Sequence, residues 1–574
     1  MSKRISIILV SLILVVALCT LFACSDTDIN NYINQNEAVD DTSNIPSSSN
    51  TGSSESAVTD DSITAEETTE EFELTTEDGT YSLEGSTYSI TSAGTYSLSG
   101  YLNGQILVEA GDDDKVILEL NGVTIEYNQD APIKILNADS VEISAKKDTD
   151  NVIKDTRSAK TVDTDYLGEG AIYAKTDLQL KGKGTLVIVA GYNNGIHTTK
   201  DLKIKNLSLK VTAYNNAIKG NDSVTIDSGS IVAISTNGDG IKTENTDANK
   251  KGVVRGDITI TGTASVTIYA AGDGIQAAHN FTMSEDGDGN SPYITIYTGS
   301  YSGYTASSAT TDSYKGVKVE NILLISGGTI DIKSYDDGLH ANYGTTFEAG
   351  GTGLGTITIT GGSVNMTVYS PTTQTAGGRM GPGGRPGGWS NQQSVSGADA
   401  IHADYILNIT GGTITIDSSY EGLEANVINI AGGNTTVLAM DDGVNAKSGP
   451  ATPQINITGG YLDVTVSSNG DTDGIDSNGT YTQSGGIVIT RGPNSTMSAA
   501  LDTDGTASIT GGTLIVLGSL GERGLTKGSG VSTYSLSLHS SGNHSVTING
   551  TSYAFNNSYS YSKTLVYSSV SVSA

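Results

Sequence analysis

The chain has 574 residues with 31 Lys+Arg against 63 Asp+Glu, a formal net charge of −32. That balance argues against a nucleic-acid partner and favours cations, or anionic polymers reached through cations. With only two Cys, 71 Gly, 9 Pro and 28 Tyr, a disulfide framework is excluded and the composition fits an exported all-β protein.

In chain order, Lys3-Arg4, the apolar run from Ile5 to Val16 and Leu21-Phe22-Ala23-Cys24 form a charged n-region, an h-region and a small-residue site before Cys. This predicts a lipoprotein signal peptide over residues 1–24 that resembles a bacterial lipobox, with Cys24 lipidated and the protein held on the extracellular face of the cell membrane by that anchor alone. Residues 25–75 are mostly Ser, Thr, Asp, Glu and Asn. They are expected to be a solvated, disordered acidic tether. Alternating segments from Gly79 to Asn128 read as capping strands and first coils, and the Tyr- and Ser-rich residues 531–574 as a C-terminal β cap.

Between them a repeat of roughly 22 residues recurs, for which IHADYILNITGGTITIDSSYEGL (Ile401 to Leu423) is the type. Each unit has a turn ending in Gly or Ala, then two alternating runs of Ile, Val and Thr separated by a Gly-containing corner. Strict alternation excludes helical repeats, and the lack of a Leu-dominated pattern excludes leucine-rich repeats. The prediction is an all-β solenoid, a parallel β-helix with three short strands per coil, over residues 76–530. Gly pairs such as Gly411-Gly412 and Gly432-Gly433 mark a corner needing positive φ. A polar column four residues after the turn (Asn221, Glu244, Glu320, Asn342, Asp404, Asn426, Asn478) reads as an asparagine-type ladder at another. Insertions are expected at 281–313, 343–355 and 371–397; the last holds Trp389, which either stacks on a sugar ring or is a loop tip.

Parallel stacking puts equivalent residues about 4.8 Å apart, so chemistry lies in columns. Before the turn Gly/Ala stand Asn194, Asn216, Asp239, Asp273, Lys315, Asp337, Asp399, Glu421, Asp442 and Asp473. Stacked carboxylates need neutralising by raised pKa values, basic neighbours or bound cations. Raised pKa values do not suit an exposed turn. Oxygen-only donors suit Ca²⁺, whereas zinc is disfavoured because the repeats hold no Cys and the His residues are not paired at ligand spacing. An Asx-turn role explains any single Asp equally well. The candidate calcium ligands are Asp239, Asp273, Asp337, Asp399, Asp442 and Asp473.

Two residues after the turn, an outward position holds His197, Lys219, Lys242, Gln276, Lys318, His340 and His402. It reads either as cross-coil salt bridging or as a cationic track for an acidic polysaccharide. The candidate ligand-binding set is Lys219, Lys242, Lys318, His340, His402, Tyr335 and Trp389. Tyr192, Tyr214, Tyr314, Tyr335 and Tyr420 stand just before the turn and serve packing or sugar stacking.

The units NNGIHTTKDLKI, NNAIKGNDSVTI, GDGIKTEN, GDGIQA, DDGLHAN and DTDGIDSNG, the ITGGTITI corners and GDDDKVILELNGVTI resemble the calcium-binding, pectate-lyase-like β-helix family of bacterial carbohydrate-binding proteins. The resemblance implies a right-handed parallel β-helix, calcium on the coils, and binding of cellulose or polygalacturonate without assigned catalysis. A calcium-dependent lyase with Lys219, Lys242 or Lys318 as base, and a structural adhesin or stalk, are the alternatives.

Overall fold

The computed structural model describes residues 60–160, 167–304, 313–343, 354–369, 398–470, 472–495 and 498–574. The signal segment with Cys24, the tether up to residue 59 and the insertion carrying Trp389 lie outside the described residues. The chain is all-β: 43 strands belong to one sheet and three to a second, and among the described residues the helical structure is a 3-10 turn at Gly299–Ser302.

Strand pairing follows the repeat. Within the repeats, strands bond in parallel to their equivalents one repeat away, and these pairings fall into three ladders. In the first, Asn194–Thr198 pairs with Ile218–Gly220, which pairs with Ile241–Lys242. In the second, Asp201–Lys205 pairs with the first half of Ser223–Ser235; in the third, Leu207–Ala213 pairs with its second half. Alternation sends every second side chain inward, so that Ile196, Ile218, Ile241, Ile275, Val317, Leu339, Ile401, Leu423, Val444 and Ile475 form a continuous column at 0% exposure. Each fully buried Ile, Leu or Val contributes roughly 1.5–3 kcal/mol. Ile409 is likewise buried.

The second Gly of each corner pair takes the positive φ, 82° at Gly412 and 81° at Gly433. A Cβ at Gly433 would lie 2.9 Å from backbone atoms of Gly411 and Gly412, so close stacking reinforces the conformational requirement.

Three expectations change. The solvated tether ends before residue 75: Ile63 is buried, Lys154 pairs with Glu67, and Glu73–Thr76 pairs antiparallel with Gly94–Asn103. The insertion expected from 281 starts later, because Phe281–Ser284 and Tyr293–Thr298 are ordinary ladder strands. The asparagine ladder of the corner after the turn is confined to a rung such as Asn342 Nδ2 to Glu320 Oε1 at 2.9 Å, and a longer one lies on the second strand. There Asn429 Nδ2 donates to Asn408 Oδ1 and Asn456 Nδ2 to Asn429 Oδ1, both at 2.9 Å.

At the C-terminal end Thr564–Ser568 pairs antiparallel with Thr513–Leu517, beside a sheet of Gly542–Ile548, Thr551–Asn557 and Val572–Ser573. Arg491, at 0% exposure, joins the two sheets. It donates to Asp463, to the Val464 carbonyl at 2.9 Å and to Asn557 Oδ1 at 2.8 Å.

Candidate functional site: the acidic turn column and its cleft

The turn residues stack in register because each turn Gly or Ala N–H donates to the carbonyl of the next rung's column residue. Examples are Ala217 to Asp239 at 3.1 Å, Gly338 to Asp399 at 3.0 Å and Gly443 to Asp473 at 2.9 Å. One side-chain oxygen then accepts from the next rung's backbone. Asp239 Oδ1 accepts from the Asp273 N–H at 2.9 Å, Asp337 Oδ1 from Asp399 at 2.9 Å, and Asp442 Oδ1 from Asp473 at 2.7 Å. The Asx-type role therefore applies to one oxygen of each.

The column is not an exposed turn. Asp239, Asp273, Asp337 and Asp399 are all buried, which removes the objection to raised pKa values. What faces the second oxygen differs along the column. Lys242 Nζ is 2.8 Å from Asp239 Oδ2. Asp337 Oδ2 accepts from Lys315 Nζ at 2.8 Å and faces His340 Nδ1 at 2.6 Å, and Asp399 Oδ2 faces His402 Nδ1 at 2.7 Å. Burial opposes ionisation of Asp337, but His340 and Lys315 outweigh it and hold its carboxyl below the usual range. Burial also disfavours the charged ring of His402, yet the bonds to Asp399 and Asp404 hold it up to about 10. Asp273 is pushed up to about 6, by burial and then by Asp239.

Further along, cations thin out to Lys447 on Glu424. Burial, then Asp399 and Glu424, push Glu421 up to about 11. Asp442 rises to about 8 through burial and then Asp473 and Asp441, and Asp476 to about 6 through burial and then Asp502 and Asp504. Among the described residues neither Asp442 nor Asp476 makes an ion pair with a basic group. Two buried oxygens nearby lack any donor: Asn445 Oδ1, whose Nδ2 bonds Glu421 and Glu424, and Thr472 Oγ1.

The basic position is a continuous ladder, His197 to Lys219 to Lys242 to Gln276 to Lys318 to His340 to His402 to Glu424. None of it is fully outward: His197, Lys219, His340 and Glu424 are buried and Lys242, Gln276, Lys318 and His402 are half-buried. Lys219 pairs with Glu244 at 2.8 Å, Lys242 with Asp239, and both His residues with column Asp residues, so the salt-bridging reading describes these four. Lys318 makes no ion pair among the described residues. Tyr335 is 38% exposed and stacks on Tyr369 with centroids 4.4 Å apart.

A cleft of about 330 Å³ opens where the two regimes meet, lined by Lys315, Asp336, Asp337, His340, Asp399, His402, Tyr420, Glu421 and Glu424. Glu421 and Glu424 lie outside the candidate set drawn from sequence, because they break the Asp and basic patterns; that break is the signal that could have found them. The expectation that the His residues are unpaired also fails. The rings of His340 and His402 stack with centroids 4.5 Å apart, because insertion length hides their rung-to-rung register.

These features define an all-β chain with buried ionic columns. Residues 84–369 match the model of a family described as carbohydrate-binding domain-containing protein. A carbohydrate-binding domain-containing protein of Acetivibrio thermocellus is 40% identical over 126 residues, 22% of this chain. That alignment spans 44% of the relative's own length. Among solved structures, the polysaccharide lyase-like protein from C. thermocellum, a gadolinium derivative, is 33% identical, with a TM-score of 0.35 over 43% of this chain and 90% of that one. The chain is thus a homologue of carbohydrate-binding domain proteins over part of its length, and Glu421, Asp442 and Asp476 lie beyond residues 84–369 of the family match.

Proposed function

We propose that this chain is a calcium-dependent, cell-surface carbohydrate-binding lipoprotein. Its ladders wind as a right-handed parallel β-helix, and it binds an acidic polysaccharide such as polygalacturonate, or cellulose, without cleaving it. The observation that carries the calcium reading is that Glu421, Asp442 and Asp476 face other carboxylates, where the earlier Asp239, Asp337 and Asp399 face Lys or His. Two carboxylates one rung apart repel by about 1 kcal/mol in water and about 4 kcal/mol at an effective dielectric of 20. Oxygen-only donors, with the orphaned oxygens of Asn445 and Thr472 at hand, fit Ca²⁺. Calcium at Asp239, Asp337 and Asp399 would have to displace this chain's own cations, and Asp273 Oδ1 already accepts from Ser313 and from the Lys315 N–H, so the reading centres on Asp442 and Asp476, with Asp473 beside them.

The carbohydrate class rests on the family similarity, with the Tyr335–Tyr369 platform offering a stacking surface beside the cleft. Lyase chemistry needs a neutral base. Burial acts against the ammonium of Lys315, but Asp337 and Asp336 hold its pKa well above the ordinary value, and His402 is held protonated too, which supports binding rather than cleavage.

The test is retention on polygalacturonate with Ca²⁺ and with chelator, following unsaturated-uronide absorbance in parallel. Calcium-dependent retention without absorbance growth is expected; retention indifferent to chelator refutes the calcium reading, and growing absorbance identifies a lyase. Anchoring is tested separately: Cys24→Ala should move the protein out of the membrane fraction, and continued membrane association would refute lipidation.

A further inference from the structure

His340 and His402 stand on successive rungs of the first ladder. Each turns Nδ1 toward the carboxylate three residues before it, Asp337 Oδ2 at 2.6 Å and Asp399 Oδ2 at 2.7 Å. Glu424 Oε1 from the next rung is 3.3 Å from His402 Nδ1. One donor atom each from Asp337, His340 and His402 lies within 4.8 Å of the others, and the same holds for Asp399, His402 and Glu424. The remote ring nitrogens face oxygens, His340 Nε2 at 2.6 Å from Asn342 Oδ1 and His402 Nε2 at 3.2 Å from Asp404 Oδ1.

We infer that this cluster is a binding site for a borderline divalent transition metal such as Zn²⁺ or Cu²⁺, held by the two imidazole Nδ1 atoms and by carboxylates of Asp337, Asp399 and Glu424. Imidazole donors suit these ions and not Ca²⁺, which takes oxygen ligands. An oxygen acceptor on the remote ring nitrogen is the arrangement that orients a metal-ligating His and fixes its tautomer; His340 has it in Asn342, and His402 has Asp404 at 3.2 Å once Lys447, 2.7 Å from the same nitrogen, turns aside. The cleft gives the ion a route in. Without metal, two ammonium groups hold the carboxylates: Lys315 on Asp337, and Lys447, whose Nζ is 2.5 Å from Glu424 Oε1 and 2.7 Å from His402 Nε2. On loading, each Nδ1–H is exchanged for a bond to the metal, the protons leave to solvent, and the ammonium groups turn away from the ion. The site is separate in metal class from the calcium reading and does not depend on it.

The test uses the full chain, stripped with chelator and then assayed in excess Ca²⁺, with Zn²⁺ as the thermodynamic probe and Cu²⁺ as the spectroscopic one. Zinc should bind despite the calcium, His402→Gln and His340→Gln should each weaken it at least tenfold, and Asp404→Asn about tenfold or more through the orienting bond. The copper resonance spectrum should carry hyperfine splitting from two nitrogens. Where a His variant fails to fold, His539→Gln with His544→Gln keeps the test open, since both lie outside the cleft and the two-nitrogen signal should persist. No zinc binding in calcium, equal affinity in parent and His340→Gln, an oxygen-only copper spectrum, or a signal lost with His539 and His544 would each overturn the inference. None of these results touches calcium-dependent polysaccharide retention.

Discussion

The acidic column solves one electrostatic problem in two ways. From Asp239 to Asp399 the chain supplies much of its own counter-charge, with Lys242, Lys315, His340 and His402 set against buried carboxylates. From Glu421 to Asp476 the same backbone turn recurs, yet the basic ladder position has changed to Glu424, Asn445 and Asp476. Identical geometry thus yields a stretch rich in its own cations and a stretch where Lys447 holds Glu424 while Asp442 and Asp476 face other carboxylates. A buried ionic column is tolerated only where its partners are in place.

The largest expected effect comes from breaking the cation-rich half. Lys315→Met leaves Asp336 and Asp337 without their ammonium group, and loss of one member of a buried ionic group costs about 3–5 kcal/mol. Denaturant unfolding should show that loss; a change under about 1 kcal/mol would mean that the cleft is wet enough to screen the pair.

Opposite pH responses come next. Buried His197 is 3% exposed, its Nδ1 has no hydrogen-bond partner, and burial followed by the charge of Lys219 lowers it to about 4. Its folded pKa is below the unfolded value of about 6.5, so the unfolded chain binds the extra proton. Stability should fall as pH drops from about 6.5 to 4, by up to roughly 3 kcal/mol, and His197→Gln should flatten that limb. Glu421, Asp442 and Asp476 are raised, so their stabilising contribution in calcium-free protein is present at low pH and lost as pH rises through about 6 to 11. Added Ca²⁺ should restore the alkaline side. An alkaline limb unchanged by Ca²⁺ would show that the rear half holds no ion.

A paired substitution sharpens the contrast. Asp442→Asn with Asp476→Asn should raise the calcium-free melting point by a few degrees, equivalent to about 1–2 kcal/mol, and abolish its response to Ca²⁺. Asp239→Asn with Asp273→Asn should leave that response intact, since Lys242 already occupies Asp239. If the two variants behave alike, calcium binds along the whole column. The smallest effect belongs to the aromatic platform. Tyr335→Ala should cost about 1 kcal/mol or less of stability from the lost ring pair while weakening polygalacturonate retention severalfold; unchanged retention would remove this surface from the binding reading.

Much of this was legible in the chain. The Gly and Ala turns, the Asp column and the inward Ile and Val residues follow from local alternation and turn chemistry, which repeat with each unit. Tyr335 and the basic residues were visible as a pattern, but the partial burial of the basic residues was not. The cleft was harder to see because Glu421, Glu424 and Lys315 break the pattern, and because His340 and His402 are 62 residues apart, with the intervening stretch hiding their adjacency. Arg491 reads as the end of a strand; nothing local says that it joins two sheets.

The sequence by itself determined the period, the strand alternation, the turn residues and the excess of acid, since each depends on neighbours along the chain and on the steric needs of Gly and Asx turns. Tertiary structure alone decided which carboxylate meets a cation and which meets another carboxylate. That depends on rung-to-rung register across insertions and on the removal of water from the column, and neither is encoded within a single repeat.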